Sequence, residues 1–163
     1  MESRFRHILV PVDLSSKNIA AVELALEMAA GCGARTTLFH VVERIEPDND
    51  DDADDEELRT FYEDLEKRAA HELQDVALRF SRAGLAVESH VWIGKRVAEI
   101  VRFAAEQKVD LVVLTSPQVD AERPAQSLAS ATFQVSVFCS CPVLMVKHTP
   151  DVSVPQASGG PNP

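Results

Sequence analysis

Five short runs of apolar, mostly β-branched residues alternate along this chain with longer stretches whose apolar side chains return every three or four positions. That alternation constrains the fold more than any motif does. Residues 5–12 (FRHILVPV), 36–42 (TTLFHVV), 111–114 and 142–146 (PVLMV) read as strands covered on both faces. Residues 85–92 (LAVESHVW) alternate apolar with polar, as a strand near a sheet edge does. Between the runs, Val22, Ala25 and Ala29 share one face of a helix over 19–30, closed by Gly31 and Gly33. Ser15 or Ser16 is its expected cap. Leu58, Phe61, Tyr62, Leu65, Ala69, Leu73, Val76 and Phe80 mark a long second helix ended by Gly84. Val97, Ile100, Val101, Ala104 and Ala105 mark a third helix after Gly94, and Leu128, Thr132, Val135 and Phe138 a fourth. Strands joined by helices of this length imply right-handed crossovers and a parallel sheet. The expected fold is therefore α/β: a five-stranded parallel sheet in a doubly wound α/β sandwich, of strand order 3-2-1-4-5. One domain over 1–148 is expected, and the Pro-, Gly- and Ser-rich residues 149–163 read as a disordered tail.

The formal charge of −10 is concentrated in one place: residues 43–57 hold ten acids and one base, and the rest of the chain is nearly neutral. No cluster of Lys and Arg offers a nucleic-acid surface, so nucleic acid is excluded as a partner. The acidic stretch DNDDDADDEE lacks the glycine and the glutamate that an EF-hand turn needs at its sixth and twelfth positions, so it reads as a mobile, solvated loop and no metal is assigned. No apolar run is long enough for a membrane span, and the opening MESRFRHILVPVD lacks the stretch of a signal peptide. A cytoplasmic protein without a membrane partner is the expectation. Cys32, Cys139 and Cys141 are too few for a disulfide framework and read as small core residues. His7 and His40 lie in strands with no second histidine at ligand spacing, and read as hydrogen-bonded structural residues.

In a sheet of this kind the strand order reverses between the first and fourth strands, and ligands bind outside their carboxyl ends. That rule points to residues 11–15 and 115–118. Residues 110–146 form the frame of a phosphate cradle: buried strand, polar loop, amphipathic helix, buried strand. The cradle lacks its glycines. Thr115, Ser116, Pro117 and Gln118 stand where a backbone would have to approach an anion closely. Asp13 serves equally as a turn cap or as a ligand contact. Ser130 and Thr132 lie near the start of the fourth helix, where they either satisfy local backbone groups or meet a phosphate.

Taken in order, RHILVPVDLS, LFHVV, WIGKRVAEIVRFAAEQKVDLVVL and CPVLMVK resemble the universal stress protein family over residues 4 to 147. The resemblance implies an α/β homodimer linked to stress survival, with one branch that binds ATP and one that does not. The binding branch carries glycine, two residues, glycine, nine residues, glycine and then Ser or Thr after its fourth strand. Matched backwards from Pro142, those glycines fall on Thr115, Gln118 and Ala129, with one extra residue between, so all three are replaced. The resemblance leaves as cofactor-binding positions Pro11, Asp13 at the sugar and phosphate region, Val41 against adenine, and Thr115, Ser116, Ser130 and Thr132. It also implies a proline where this chain has Arg96.

The pattern resembles the branch without ATP. The expectation is a homodimeric stress or signalling module with no cofactor and no catalytic residue, paired through Val143, Leu144, Met145 and Val146 and acting on an unidentified protein partner. The alternative is an ATP- or AMP-binding protein, with magnesium, that uses a divergent phosphate loop. A flavin protein shares the architecture, but the loop after the first strand has no phosphate clasp of the flavodoxin kind.

Overall fold

The computed structural model describes residues 3–45, 56–118 and 121–148. Most of the acidic stretch and the whole of the expected tail lie outside the described residues. The chain runs β1 (His7–Pro11), a 3₁₀ turn (Ser16–Asn18), α1 (Ile19–Cys32), β2 (Arg35–Glu43), α2 (Glu56–Arg82), β3 (Val87–Gly94) and α3 (Arg96–Glu106). It continues through β4 (Leu111–Thr115), α4 (Pro124–Leu128), α5 (Ala131–Phe138) and β5 (Val143–Val146). All pairings are parallel and the spatial order is β3-β2-β1-β4-β5, as the alternation of elements implies.

Period-two alternation distributes the strand residues between two apolar layers. Ile8, Val10, Leu38, Leu111 and Val113 face Ala21, Val22, Ala25 and Ala29 of α1 and Leu73, Ala77 and Phe80 of α2. Leu9, Phe39, Val41, Val112 and Leu114 face Ile100, Phe103 and Ala104 of α3 and Val135 of α5. β1 is the centre of both layers, with Ile8, Leu9 and Val10 fully buried. α1 runs two residues past its expected end and closes at Gly33, whose φ of 67° is the left-handed cap that glycine adopts without strain.

Three local expectations are corrected. The single helix expected around 128–138 is two, because Ser130 adopts an extended conformation (φ −65°, ψ 145°) and its hydroxyl accepts a hydrogen bond from the Phe133 amide at 3.2 Å. Neither Ser15 nor Ser16 caps α1. A 3₁₀ turn intervenes and Asn18 occupies the cap position without a side-chain cap bond. Phe61 is not part of the core face of α2; it is half exposed and meets the edge of Tyr62.

At the β5 edge, the Val112 amide donates to the Pro142 carbonyl at 3.0 Å and the Ser116 amide donates to the Val146 carbonyl at 2.7 Å. In a parallel ladder this turns the backbone groups of Leu144 and Val146 toward β4 and those of Val143 and Met145 toward the open side.

Candidate functional site

Where the order reverses, the carboxyl ends of β1 and β4 part around a cleft of about 260 Å³. One end is apolar, with Phe39, Val41, Ile100, Leu114 and Val135 as its walls. The other is polar, formed by Asp13, Lys17, Thr115, Ser116, Gln118 and Thr132. Six of the seven residues expected at a cofactor site, Pro11, Asp13, Val41, Thr115, Ser116 and Thr132, line this cleft. Ser130 does not; its hydroxyl is the cap of α5.

The polar end is held by bonds among its own residues. Asn18, almost fully buried, accepts from the Asp13 amide at 2.8 Å and donates through Nδ2 to the Thr115 hydroxyl at 3.0 Å. It therefore ties the loop after β1 to the end of β4. The Thr115 hydroxyl donates to the Lys17 carbonyl at 3.4 Å, and the Thr132 hydroxyl donates to the Thr115 carbonyl at 3.2 Å. The Ser116 hydroxyl donates to the Pro117 carbonyl at 3.2 Å. Asp13 is exposed, and one of its oxygens accepts from the Ser15 amide at 2.9 Å, an Asx turn in place of a helix cap. Between them Leu14 sits at φ 64°, in the left-handed region, with its side chain against the core.

A glycine cradle binds phosphate because bare amides point into open space. Here side chains fill that space, and the Thr115, Ser116 and Thr132 hydroxyl hydrogens already point at carbonyls. The residues at the apolar end fit a flat heterocycle. Those at the polar end do not fit a triphosphate. Among the described residues no group of three or more His, Cys, Asp or Glu is placed to hold a metal ion.

Sequence reasoning missed Lys17, Asn18 and His148 as cleft residues and took Arg96 only as a lost proline. Asn18 had no signal, since its role depends on a partner 97 positions away. Arg96 has one: it follows Gly94 at the start of a helix whose next turn, Ile100, faces the cleft.

The expected structural histidines are bonded inside the fold. His40 Nδ1 donates to the Val12 carbonyl at 2.8 Å, which anchors the end of β1. His7 is buried, with Nε2 at 2.8 Å from the Thr37 hydroxyl and Nδ1 at 3.0 Å from Arg35 and 3.3 Å from the Gln107 carbonyl. Burial, and then the charge of Arg35, lower its pKa. Burial and the adjacent Cys141 push the Cys139 thiol up to about 11, and burial raises Cys141 too, so neither is a thiolate at neutral pH. No described helix is long and apolar enough to cross a membrane.

Comparisons with known proteins agree with this architecture. No curated protein matches the sequence. Among solved structures, the universal stress protein UspA from Lactobacillus plantarum is similar at TM-score 0.68 and 23% identity, covering 88% of this chain and 99% of that one. A universal stress protein in complex with cAMP is similar at TM-score 0.66 and 21% identity, covering 90% of this chain and 100% of that one. The universal stress protein from Archaeoglobus fulgidus in complex with dAMP is similar at TM-score 0.54 and 17% identity, covering 88% and 98%. At these identities the likeness establishes the fold. The family model described as universal stress protein family matches residues 4–147, nearly the whole described chain, and the chain belongs to that family.

Proposed function

We propose that this chain is a homodimeric stress-response module that works without bound ATP. One observation carries the reading: all three family glycines are replaced, by Thr115 and Gln118 in the cleft lining and by Ala129 before α5, and the Thr115, Ser116 and Thr132 hydroxyls are engaged within the protein. A triphosphate would have to break those bonds and displace side chains from the space glycine leaves open. The test is direct: protein purified without added nucleotide is denatured, and the supernatant is analysed by ultraviolet spectrum and ion-exchange chromatography. Absence of stoichiometric adenine nucleotide supports the reading, and a stoichiometric ATP peak contradicts it.

A second reading has an observation of its own. The apolar end of the cleft is open, with Val41 on one wall; at the polar end one Asp13 oxygen has no hydrogen-bond partner among the described residues; and two relatives of this fold carry adenine mononucleotides, cAMP and dAMP. A nucleoside or nucleoside monophosphate uses that end and asks little of the missing cradle. Lys17, which lines the polar end, supplies a single point charge there for one phosphate.

A further inference from the structure

A cation borders the cleft beside its apolar walls. Arg96 is the first residue of α3 and lines the cleft one helical turn before Ile100. Its Nη2 donates to Glu43 Oε2 at 3.3 Å, two residues beyond Val41 on β2, and it makes no other hydrogen bond among the described residues. Both partners are about half exposed, at 40% and 57%, so the pair is weak and easily exchanged. Glu43 itself does not line the cleft. A heterocycle between Val41 and Ile100 therefore has the Arg96 guanidinium, a rigid planar fork of N–H donors, as the charged side chain beside it, without the Glu43 carboxylate in the lining.

We propose that Arg96 makes the cleft selective for keto-purine mononucleotides over adenine mononucleotides. This inference rests on the second reading above. Guanine and hypoxanthine present O6 and N7 as two adjacent acceptors, the pair an arginine fork matches in a bidentate manner. Adenine presents N7 beside an N6 donor, which turns a hydrogen toward the guanidinium and leaves part of the fork unpaired. The preference is for the O6 and N7 edge and does not involve the exocyclic amine of guanine.

Calorimetric titration of the intact protein with GMP, IMP and AMP tests this, on wild type, Arg96→Pro and Arg96→Met. Arg96→Pro suits the fold: Arg96 is at the first helical position, its amide has no backbone acceptor, and Lys95 before it is already extended at φ −85°, ψ 115°. GMP and IMP are expected to bind about tenfold tighter than AMP, with the difference shrinking to within about twofold in both variants. AMP binding as tightly as GMP, or a preference that survives both substitutions, overturns the inference and leaves the nucleotide reading intact. Absence of binding by all three nucleotides overturns the nucleotide reading and the inference with it.

Discussion

Leu14 is the residue where the cleft imposes a backbone cost. At φ 64° an L side chain is strained by about 1–2 kcal/mol, a cost glycine does not have. The conformation persists because Asp13 and Asn18 bond the flanking amides and the leucine side chain packs on the core. Leu14→Ala and Leu14→Gly both lose that packing, and only the first keeps the strain. Leu14→Gly is therefore expected to be the more stable of the two by about 1 kcal/mol in urea denaturation; equal stability would refute the strain. His7 gives a pH dependence with a fixed sign. Its folded pKa lies below the usual 6.5, so the unfolded chain takes up the proton first as pH falls. The stability this contributes is complete above about pH 6.5 and is lost as pH drops toward the lowered folded value. His7→Gln should show a smaller loss of unfolding free energy than wild type between about pH 7.5 and about pH 5.5. A larger loss in the variant would mean that His7 is charged in the fold.

Among the elements, β5 is the one the proposed dimer would use. The open edge of the sheet there exposes the amides of Val143 and Met145, and Met145 is 42% exposed. A second copy added antiparallel at this edge would use those two amides, while Leu144 and Val146 stay bonded to β4. Met145→Pro removes one outward amide and none of the ladder to β4, so the fold should survive and the dimer should fall to monomer in sedimentation equilibrium. A dimer unchanged by the substitution would place the contact elsewhere. β1, β2 and β4 were legible because their residues are apolar on both faces, a pattern set by burial alone, and β3 because its apolar residues alternate with polar ones at the edge. The break between α4 and α5 was not: Leu128, Thr132, Val135 and Phe138 keep helical spacing through it, and only the extended Ser130 reveals it. Phe61 shows the same limit in α2, where the spacing continues onto a half-exposed surface outside the core.

For the whole molecule, the parallel sheet followed from alternation and handedness, and the order β3-β2-β1-β4-β5, with the place of the cleft, from the usual mononucleotide-binding plan. The character of the cleft followed only in part. Loss of the glycines was visible at Thr115, Gln118 and Ala129, because glycine's role there depends on its own missing side chain. The closure of the polar end by Asn18 was not visible, nor was the pairing of Arg96 with Glu43, because each joins residues far apart in sequence. These contacts are what the proposed function rests on: a nucleotide frame whose polar end is occupied by its own side-chain bonds. Titration of the purified protein, shown free of nucleotide, with ATP and magnesium in a calorimeter measures that directly. The expected result is no saturable heat at concentrations up to about 1 mM. Binding tighter than about 100 μM, or about −5.5 kcal/mol, would show that the Thr115 to Gln118 loop opens to receive phosphate and would contradict a module that works without ATP.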